Sequence, residues 1–269
     1  MSGLPSVHIV DGIATIALNR PSSLNALTPE DYDVFASALR EIDKREDVVV
    51  TVWQGKWFCA GTDVKRRPDP AHYGDTSNLR NTLRGQVVGT TLDCGKALYS
   101  HRKILVAALN GPAMGIAASF LGYFDFIYAM PNAWISLPFS FLGIIAEGGS
   151  SVSFVNRMGL PMANEVLLWG KKKTAEELLP SGFINKVFHV PDVDTFHAAV
   201  RSLILSELLG LDKTALLITK SLIRKGLEDK NDMDAVNLRE SYAQAERFAS
   251  GIPTERFDKI ARKEIKHKL

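Results

Sequence analysis

The chain has 269 residues, of which 46% are hydrophobic and 23% charged, a composition typical of a globular protein with a sizeable core. Its formal charge of only +2 argues against nucleic-acid binding, and its apolar runs are too short for a membrane span. The two cysteines, Cys59 and Cys94, are typical of free thiols rather than of a disulfide framework. We therefore expect one main domain with no nucleic acid and no membrane as partner.

The first half of the chain alternates predicted strands with predicted helices. Periodicity and turn signals predict a hairpin of strands over 7–10 and 13–18, a helix from Pro29 capped by Thr28, a strand over 48–54, a surface loop over 65–78, a helix over 79–99 and a strand over 104–109. This alternation favours an α/β core.

The second half turns from short strands to helices. Strand-like pieces over 126–129 and 134–137 precede predicted helices over 151–158, 162–168, 174–179, 193–209, 214–226, 233–248 and 254–266, with one short strand over 186–190. We therefore predict an α/β core over residues 1–200 and a helical C-terminal subdomain over 201–269.

Two segments of small residues each follow a predicted buried strand. They are Phe58-Cys59-Ala60-Gly61-Thr62-Asp63 and Asn110-Gly111-Pro112-Ala113-Met114-Gly115-Ile116. Glycine lets the backbone approach a ligand without a Cβ in the way. Two backbone N–H groups brought together from separate strand ends can hold one oxygen that gains negative charge during a reaction. The alternative is that both segments are ordinary turns between a strand and a helix.

The sequence also contains one candidate acid or base. Glu147 stands between the apolar run 141–146 and the pair Gly148-Gly149, and a carboxylate that loses solvation in such surroundings becomes a better proton acceptor. The alternative is an acidic residue stabilised by the positive end of a helix dipole. Spacings typical of a metal site, a serine nucleophile elbow, a phosphate loop or a dinucleotide fold do not occur, so we predict no metal.

Together these segments resemble the crotonase superfamily, the enoyl-CoA hydratase/isomerase group, from about residue 7 to about 225. Leu18-Asn19-Arg20-Pro21 with Asn25-Ala26-Leu27 is similar to the family's opening motif, and the two glycine segments are similar to its two oxyanion loops. The resemblance implies a crotonase-like ββα spiral core and an acyl-CoA thioester as substrate. It implies no separate cofactor, because coenzyme A is part of that substrate.

The resemblance also implies which residues form the site. The main-chain N–H groups of Thr62 and Ile116 would hold the thioester oxygen. The substrate-binding residues would be Ala26, Ala60, Gly61, Thr62, Asp63, Val64, Gly115, Ile116 and Phe139.

Two departures from the hydratase pattern bear on the reaction. Hydratases of this family carry glutamates at the positions of Ser119 and Phe139, and neither residue here moves a proton as a carboxylate does. Glu147, in its Leu-Gly-x-x-x-Glu-Gly-Gly setting, resembles the catalytic glutamate of the peroxisomal Δ3,Δ2-enoyl-CoA isomerases. We therefore expect an isomerase of fatty-acid β-oxidation that moves the double bond of a 3-enoyl-CoA to the 2-trans position.

Location and assembly are further expectations from this resemblance. The last three residues, His267-Lys268-Leu269, are similar to a Ser-Lys-Leu peroxisomal signal, which implies a peroxisomal import receptor as partner. The family implies a homotrimer or a dimer of trimers, joined through the helical subdomain, which also closes the pocket.

Two alternative functions remain open from the sequence. One is a hydratase or lyase of a specialised peroxisomal acyl-CoA pathway, since Ser119 does not exclude it. The other is a protein that binds acyl-CoA on the same fold without turnover.

Overall fold

The computed structural model of the chain describes residues 3–64, 75 and 77–267. Its elements in chain order are β1 Ser6–Val10, β2 Ile13–Leu18, α1 Pro29–Lys44, β3 Val50–Gly55, α2 Leu79–Thr82, a π-helical segment Leu83–Leu92, α3 Asp93–Tyr99, β4 Ile104–Leu109, β5 Ala113–Met114, α4 Ile116–Leu121, β6 Phe126–Ala129, β7 Trp134–Ser136, α5 Phe139–Leu142, α6 Ser150–Leu167, β8 Lys173–Thr174, α7 Ala175–Leu178, β9 Lys186–Val187, α8 Val193–Leu208, α9 Lys213–Glu228, α10 Met233–Ala249 and α11 Ile252–Ala261.

The larger sheet has the strand order β1-β2-β3-β4-β6-β9. In this sheet β1 and β2 pair antiparallel, and the described pairs from β2 onward are parallel. All six residues of β4 are buried, as expected for a central parallel strand that is covered on both faces. A smaller sheet has the order β5-β7-β8.

This topology explains where the two glycine segments meet. Because β3 and β4 are parallel neighbours, their carboxyl ends lie at the same edge of the sheet, where ligands of α/β proteins usually bind. The first segment follows β3 and the second follows β4. Isolated bridges pair Leu27 with Thr62 and Cys59 with Ala113, so the two segments run side by side.

Helix α1 shows why the early elements could be predicted. The Thr28 hydroxyl accepts from the Asp31 amide, and the Asp31 carboxylate accepts from the Thr28 amide, which completes a capping box in front of Pro29. Tyr32, Phe35 and other apolar residues at helical spacing are buried in the main core.

The structure differs from the sequence expectations in the helical regions. The predicted helix over 79–99 includes the π-helical segment, and the helices over 151–158 and 162–168 form one element, α6, broken at Gly159 where φ is 74°. The predicted helix over 254–266 is wrong at its end, because α11 stops at Ala261 and Lys263 adopts a left-handed φ of 63°. Residue 200, the predicted limit of the core, lies inside α8. Most of the predicted loop over 65–78 lies outside the described residues.

The last two helices pack on other helical elements of the chain. Helix α10 packs on α2, the π-helical segment and α3, and α11 packs on α5 and α10. Within the described ranges, no helix is both long and apolar enough to cross a membrane.

Candidate active site

The first glycine segment presents the backbone amide of Thr62. The Leu27 amide donates to the Gly61 carbonyl at 2.7 Å, and the Asp63 amide donates to the Leu27 carbonyl at 2.8 Å. Because the peptide groups are trans and planar, the Thr62 N–H points away from Leu27. It meets no acceptor among residues 3–64, 75 and 77–267, so it is available to a ligand.

The first segment is braced by Arg20. The guanidinium of Arg20 donates to Asp31 at 2.8 Å and to Asp63 at 3.0 Å, and also to the Ala26 carbonyl at 3.0 Å. The two carboxylates raise the pKa of Arg20 although partial burial opposes this. The opening motif therefore holds the first glycine segment in place through the ion pair between Arg20 and Asp63.

The second glycine segment presents the backbone amide of Ile116, the first residue of α4. Gly115 adopts a φ of 54°, a left-handed conformation that favours glycine, and its amide donates to the Ser136 carbonyl at 2.9 Å. The first amides of a helix have no acceptor within it. The Ile116 amide also finds none elsewhere in the described part of the chain, so it is the second available donor.

The two segments are in direct contact. The Met114 amide donates to the Cys59 carbonyl at 3.1 Å. A Cβ placed on Gly61 would lie 2.8 Å from the Met114 carbonyl oxygen, so only glycine allows this approach. The amides of Thr62 and Ile116 are thus fixed on adjoining loops, as a pair of donors to one oxygen requires.

Glu147 lies in the loop between α5 and α6 and is buried, with 8% of its surface exposed. Its Oε2 accepts from Nε2 of Gln244 at 2.9 Å. A Cβ on the next residue, Gly148, would lie 2.9 Å from Cδ1 of Ile116 and 3.2 Å from Cβ of Ser119. The loop that carries the carboxylate is therefore packed on the first turns of α4.

Tyr32 contacts the first segment from α1. Its hydroxyl lies 2.6 Å from Oγ1 of Thr62. Burial raises the pKa of Tyr32 well above its usual range, and the negative charge of Glu147 raises it further. The contacts at Gly148 place the Glu147 loop beside the start of α4, which carries the Ile116 amide, and the segments of Ile116 and Thr62 are in direct contact. The structure thus gathers the predicted carboxylate and the two predicted amide donors in one region.

The sequence of the chain matches a known family. The family model described as enoyl-CoA hydratase/isomerase matches residues 8–251 of the chain. The chain belongs to the enoyl-CoA hydratase/isomerase family. The resemblance expected from the sequence motifs is thereby confirmed.

Relatives and solved structures of the family agree with this assignment. The chain is 38% identical to a Delta(3,5)-Delta(2,4)-dienoyl-CoA isomerase of Pyricularia oryzae, covering 100% of both chains. It is 30% identical to the 3,2-trans-enoyl-CoA isomerase of Saccharomyces cerevisiae, covering 94% of this chain and 92% of the relative. The crystal structure of an enoyl-CoA hydratase/isomerase from Pseudoalteromonas atlantica superimposes with a TM-score of 0.83 at 25% identity, covering 98% and 99% of the two chains. The predicted crotonase-like α/β fold with a helical C-terminal region is confirmed.

The positions where hydratases of the family carry glutamates hold no acid here. Ser119 is fully buried against Gly148, and Phe139 is buried with its ring 4.0 Å from the position of a Cβ on Gly115. A second carboxylate near Glu147, that of Glu240, accepts from the Gly149 amide at 2.6 Å and from the Ser151 amide at 3.0 Å. Those bonds hold Glu240 to the backbone of the loop.

The other predicted substrate-binding residues lie along the same edge. The Ala26 carbonyl accepts from Arg20, the Ala60 amide donates to the Leu24 carbonyl at 3.0 Å, and Val64 is half exposed. Their contacts with a substrate stay a prediction. No group of three metal-ligating side chains occurs in the part of the chain that the structure describes.

The sequence reasoning missed the side chains that support Glu147. Tyr32 lies in the predicted helix from Pro29, and Glu240 and Gln244 lie in the predicted helix over 233–248, but none of the three was assigned a role. Asn237, Glu240 and Gln244 recur at helical spacing along one face of α10, but this pattern does not predict burial. Polar residues at that spacing normally mark the solvent side of a helix, whereas these three are buried.

Proposed function

We propose that this protein is an enoyl-CoA isomerase that moves the double bond of a 3-enoyl-CoA to the 2-trans position, with Glu147 as the single acid and base. The observation that carries this proposal is the buried carboxylate of Glu147 on a loop that packs on Ile116, together with two backbone amides, those of Thr62 and Ile116, that have no acceptor among the described residues.

The proposed reaction is a proton shift from C2 to C4. Glu147 takes a proton from C2, and the negative charge moves onto the thioester oxygen. The amides of Thr62 and Ile116 donate to that oxygen and stabilise the enolate. Protonated Glu147 then returns the proton at C4 and regains its charge.

The magnitudes of the two contributions show that both are needed. One preorganised oxyanion donor contributes about 2.7–4 kcal/mol to transition-state stability. A positioned acid or base contributes roughly 10²–10⁴-fold in rate. Neither contribution alone accounts for the rate enhancements of enzymes, which begin near 10⁶-fold.

Hydration is less well supported by this site. Adding water to a double bond requires activation of the water and a proton for the α-carbon. Ser119 and Phe139 supply neither, and the carboxylate of Glu240 is bound to backbone amides.

A second candidate reaction is the conversion of a 3,5-dienoyl-CoA to the 2,4-dienoyl-CoA. The observation that favours it is the 38% identity to the fungal dienoyl-CoA isomerase. This reaction moves a proton from C2 to C6, which is much further from C2 than C4 is. A second proton-transfer group would help to span that distance, and Ser119 and Phe139 do not provide a carboxylate for it.

The test is to supply the purified protein with 3-enoyl-CoA, 3,5-dienoyl-CoA and 2-enoyl-CoA in separate assays and to identify the products by mass spectrometry and absorbance. We expect the highest kcat/KM with 3-enoyl-CoA and no gain of water. A higher kcat/KM with the dienoyl substrate would favour the second candidate. Formation of 3-hydroxyacyl-CoA from 2-enoyl-CoA would favour the hydratase alternative. No turnover of any substrate would favour an acyl-CoA-binding protein.

Assembly as a homotrimer or a dimer of trimers is part of the proposal. Helix α9 exposes Ile218, Leu222 and Ile223, and large exposed apolar patches commonly mark interfaces. Mass photometry should give three or six times the 29.6 kDa of one chain, and a monomer would contradict the proposal.

Peroxisomal import through His267-Lys268-Leu269 is also proposed, for a role in fatty-acid β-oxidation. The last two residues lie outside the described part of the chain. Fusing residues 258–269 to a fluorescent reporter should give punctate peroxisomal signal. A diffuse cytosolic signal would contradict the import proposal.

A further inference from the structure

Helix α10 has a buried polar face. Asn237, Glu240, Ser241 and Gln244 are each at most 6% exposed, and burying a polar group is unfavourable unless it forms hydrogen bonds. The partners of these side chains therefore indicate what this face does. Asn237 donates to the Leu92 carbonyl at 2.8 Å and joins α10 to the π-helical segment.

Glu240 and Gln244 bind the loop that carries Glu147. They lie one helical turn apart on the same face of α10. Glu240 accepts from the amides of Gly149 and Ser151 and also binds the Ser151 hydroxyl. These contacts fix the backbone on the C-terminal side of Glu147, where α6 begins.

Gln244 binds the same loop on its N-terminal side and binds Glu147 itself. Its Oε1 accepts from the Ile145 amide at 3.2 Å, and its Nε2 donates to Oε2 of Glu147 at 2.9 Å. A backbone amide only donates, so the Gln244 carboxamide must direct its oxygen at Ile145 and its NH₂ group at Glu147. This orientation presents a donor to the carboxylate, which fits the ionised form that accepts a proton.

On the proposed function, we propose that Gln244 is a positioning residue that orients the Glu147 carboxylate for proton transfer and stabilises its ionised form. Gln244 is locked at one end by the Ile145 amide, so its NH₂ group holds Oε2 of Glu147 in a fixed place. The plane of the carboxylate is thereby set relative to C2 of the substrate. A misplacement of about 1 Å in such a group costs on the order of 10²-fold in rate.

The test is the dependence of kcat/KM on pH for Gln244→Met and Gln244→Glu. Methionine has a similar length and cannot donate to the carboxylate, so Glu147 should bind a proton more readily. We expect kcat to fall about 10- to 100-fold and the acidic limb of the profile to move up by about one pH unit. In Gln244→Glu a second carboxyl group faces Glu147, and the limb should move further up because two like charges disfavour full ionisation.

Asn237→Leu is the matched control. It removes a buried carboxamide from the same face of α10, two turns away, that bonds to Leu92 and not to the Glu147 loop. We expect a lower midpoint of thermal unfolding and an unchanged acidic limb. Circular dichroism establishes that each variant is folded before its kinetics are measured.

Other titratable groups near the site are the same in all variants. The Tyr32 hydroxyl lies 2.6 Å from Oγ1 of Thr62, Tyr123 packs on Gly149, Glu240 binds the start of α6, and Arg247 donates to the Gly143 carbonyl. If the acidic limb lies at higher pH in Gln244→Met than in the wild type, and at higher pH still in Gln244→Glu, the shift is therefore due to the contact between residue 244 and Glu147.

The outcomes separate this proposal from the proposed function. If Glu147→Gln loses turnover and Gln244→Met keeps the wild-type kcat and acidic limb, the positioning role is wrong and the isomerase proposal stands. If Gln244→Met and Asn237→Leu lose activity equally with unshifted limbs, α10 has only a structural role and the positioning proposal is overturned. If Glu147→Gln keeps its turnover, the assignment of Glu147 fails and the role of Gln244 fails with it.

Discussion

Replacing Gly61 with alanine tests whether the Thr62 backbone amide takes part in the reaction. Gly61 adopts a φ of 86°, and a Cβ there would lie 2.8 Å from the carbonyl oxygen of Met114. That contact is with backbone, so no side chain is able to rotate away. The first segment must move away from the second by a few tenths of an ångström, and the Thr62 N–H moves with it.

Two costs of Gly61→Ala follow from this geometry. The left-handed φ costs a residue with a Cβ about 1–2 kcal/mol of stability, and the clash adds to that. In catalysis, removal of a whole oxyanion donor costs about 10²–10³-fold in kcat. A displaced donor loses part of this, so we expect kcat to fall about 10- to 100-fold with a smaller change in KM.

Gly210→Ala separates the clash from the backbone strain. Gly210 lies between α8 and α9 and has a similar φ of 78°. Apart from its chain neighbours, no described residue has a heavy atom within 4 Å of the added Cβ. Its alanine variant should lose about 1–2 kcal/mol of stability and keep its kcat. Urea unfolding and steady-state kinetics with 3-enoyl-CoA measure both quantities. Full kcat in Gly61→Ala, at a stability like that of Gly210→Ala, would refute the role of the Thr62 amide.

Three further predictions concern other contacts of the fold and the site. Thr62→Val keeps the backbone donor and loses only the hydrogen bond between the Thr62 hydroxyl and Tyr32, so kcat should fall less than about tenfold. A loss of kcat as large as that of Gly61→Ala would assign the catalytic role to the Thr62 hydroxyl instead of the backbone amide. Asp63→Asn weakens the brace to Arg20 and should lower the free energy of unfolding by about 1–3 kcal/mol in urea; unchanged stability would contradict the brace. Burial lowers the pKa of His101 to about 3, so the unfolded state binds its proton more readily, and stability should fall below about pH 6.5, by about 2 kcal/mol at pH 5. Urea unfolding at pH 7 and pH 5 should show a smaller loss of stability for His101→Gln than for the wild type. Equal losses in the two proteins would contradict the assignment of this pH dependence to His101.

The elements that could be predicted from sequence are those fixed by local signals. The capping box of Thr28 and Asp31 and the all-apolar run 104–109 identify α1 and β4 without any tertiary information. The two glycine segments could be predicted as a pair because each follows a strand of a parallel sheet. Their close approach at Gly61 depends on tertiary contacts. It results from the strand order of the sheet, which the sequence of neither segment predicts.

The parts that were missed depend on contacts between distant residues. Gln244 lies 97 positions after Glu147 in the sequence. The polar residues of its helix at helical spacing predict a face exposed to solvent, whereas that face is buried. The π-helical segment 83–92 was predicted as ordinary helix, since its spacing of apolar residues differs little from the α-helical one. The end of α11 at Ala261 has no proline or glycine to mark it.

The most direct test of the account is the single-turnover rate of Glu147→Gln with 3-enoyl-CoA, measured together with the Kd for a saturated acyl-CoA. Glutamine has the shape of glutamate, and its carbonyl oxygen is able to accept from Nε2 of Gln244, so the loop should keep its position. We expect the rate of double-bond migration to fall by about 10²–10⁴-fold and the Kd to stay within about threefold, since the two amide donors remain. Migration at a near-normal rate would contradict the claim that one buried carboxylate transfers the proton.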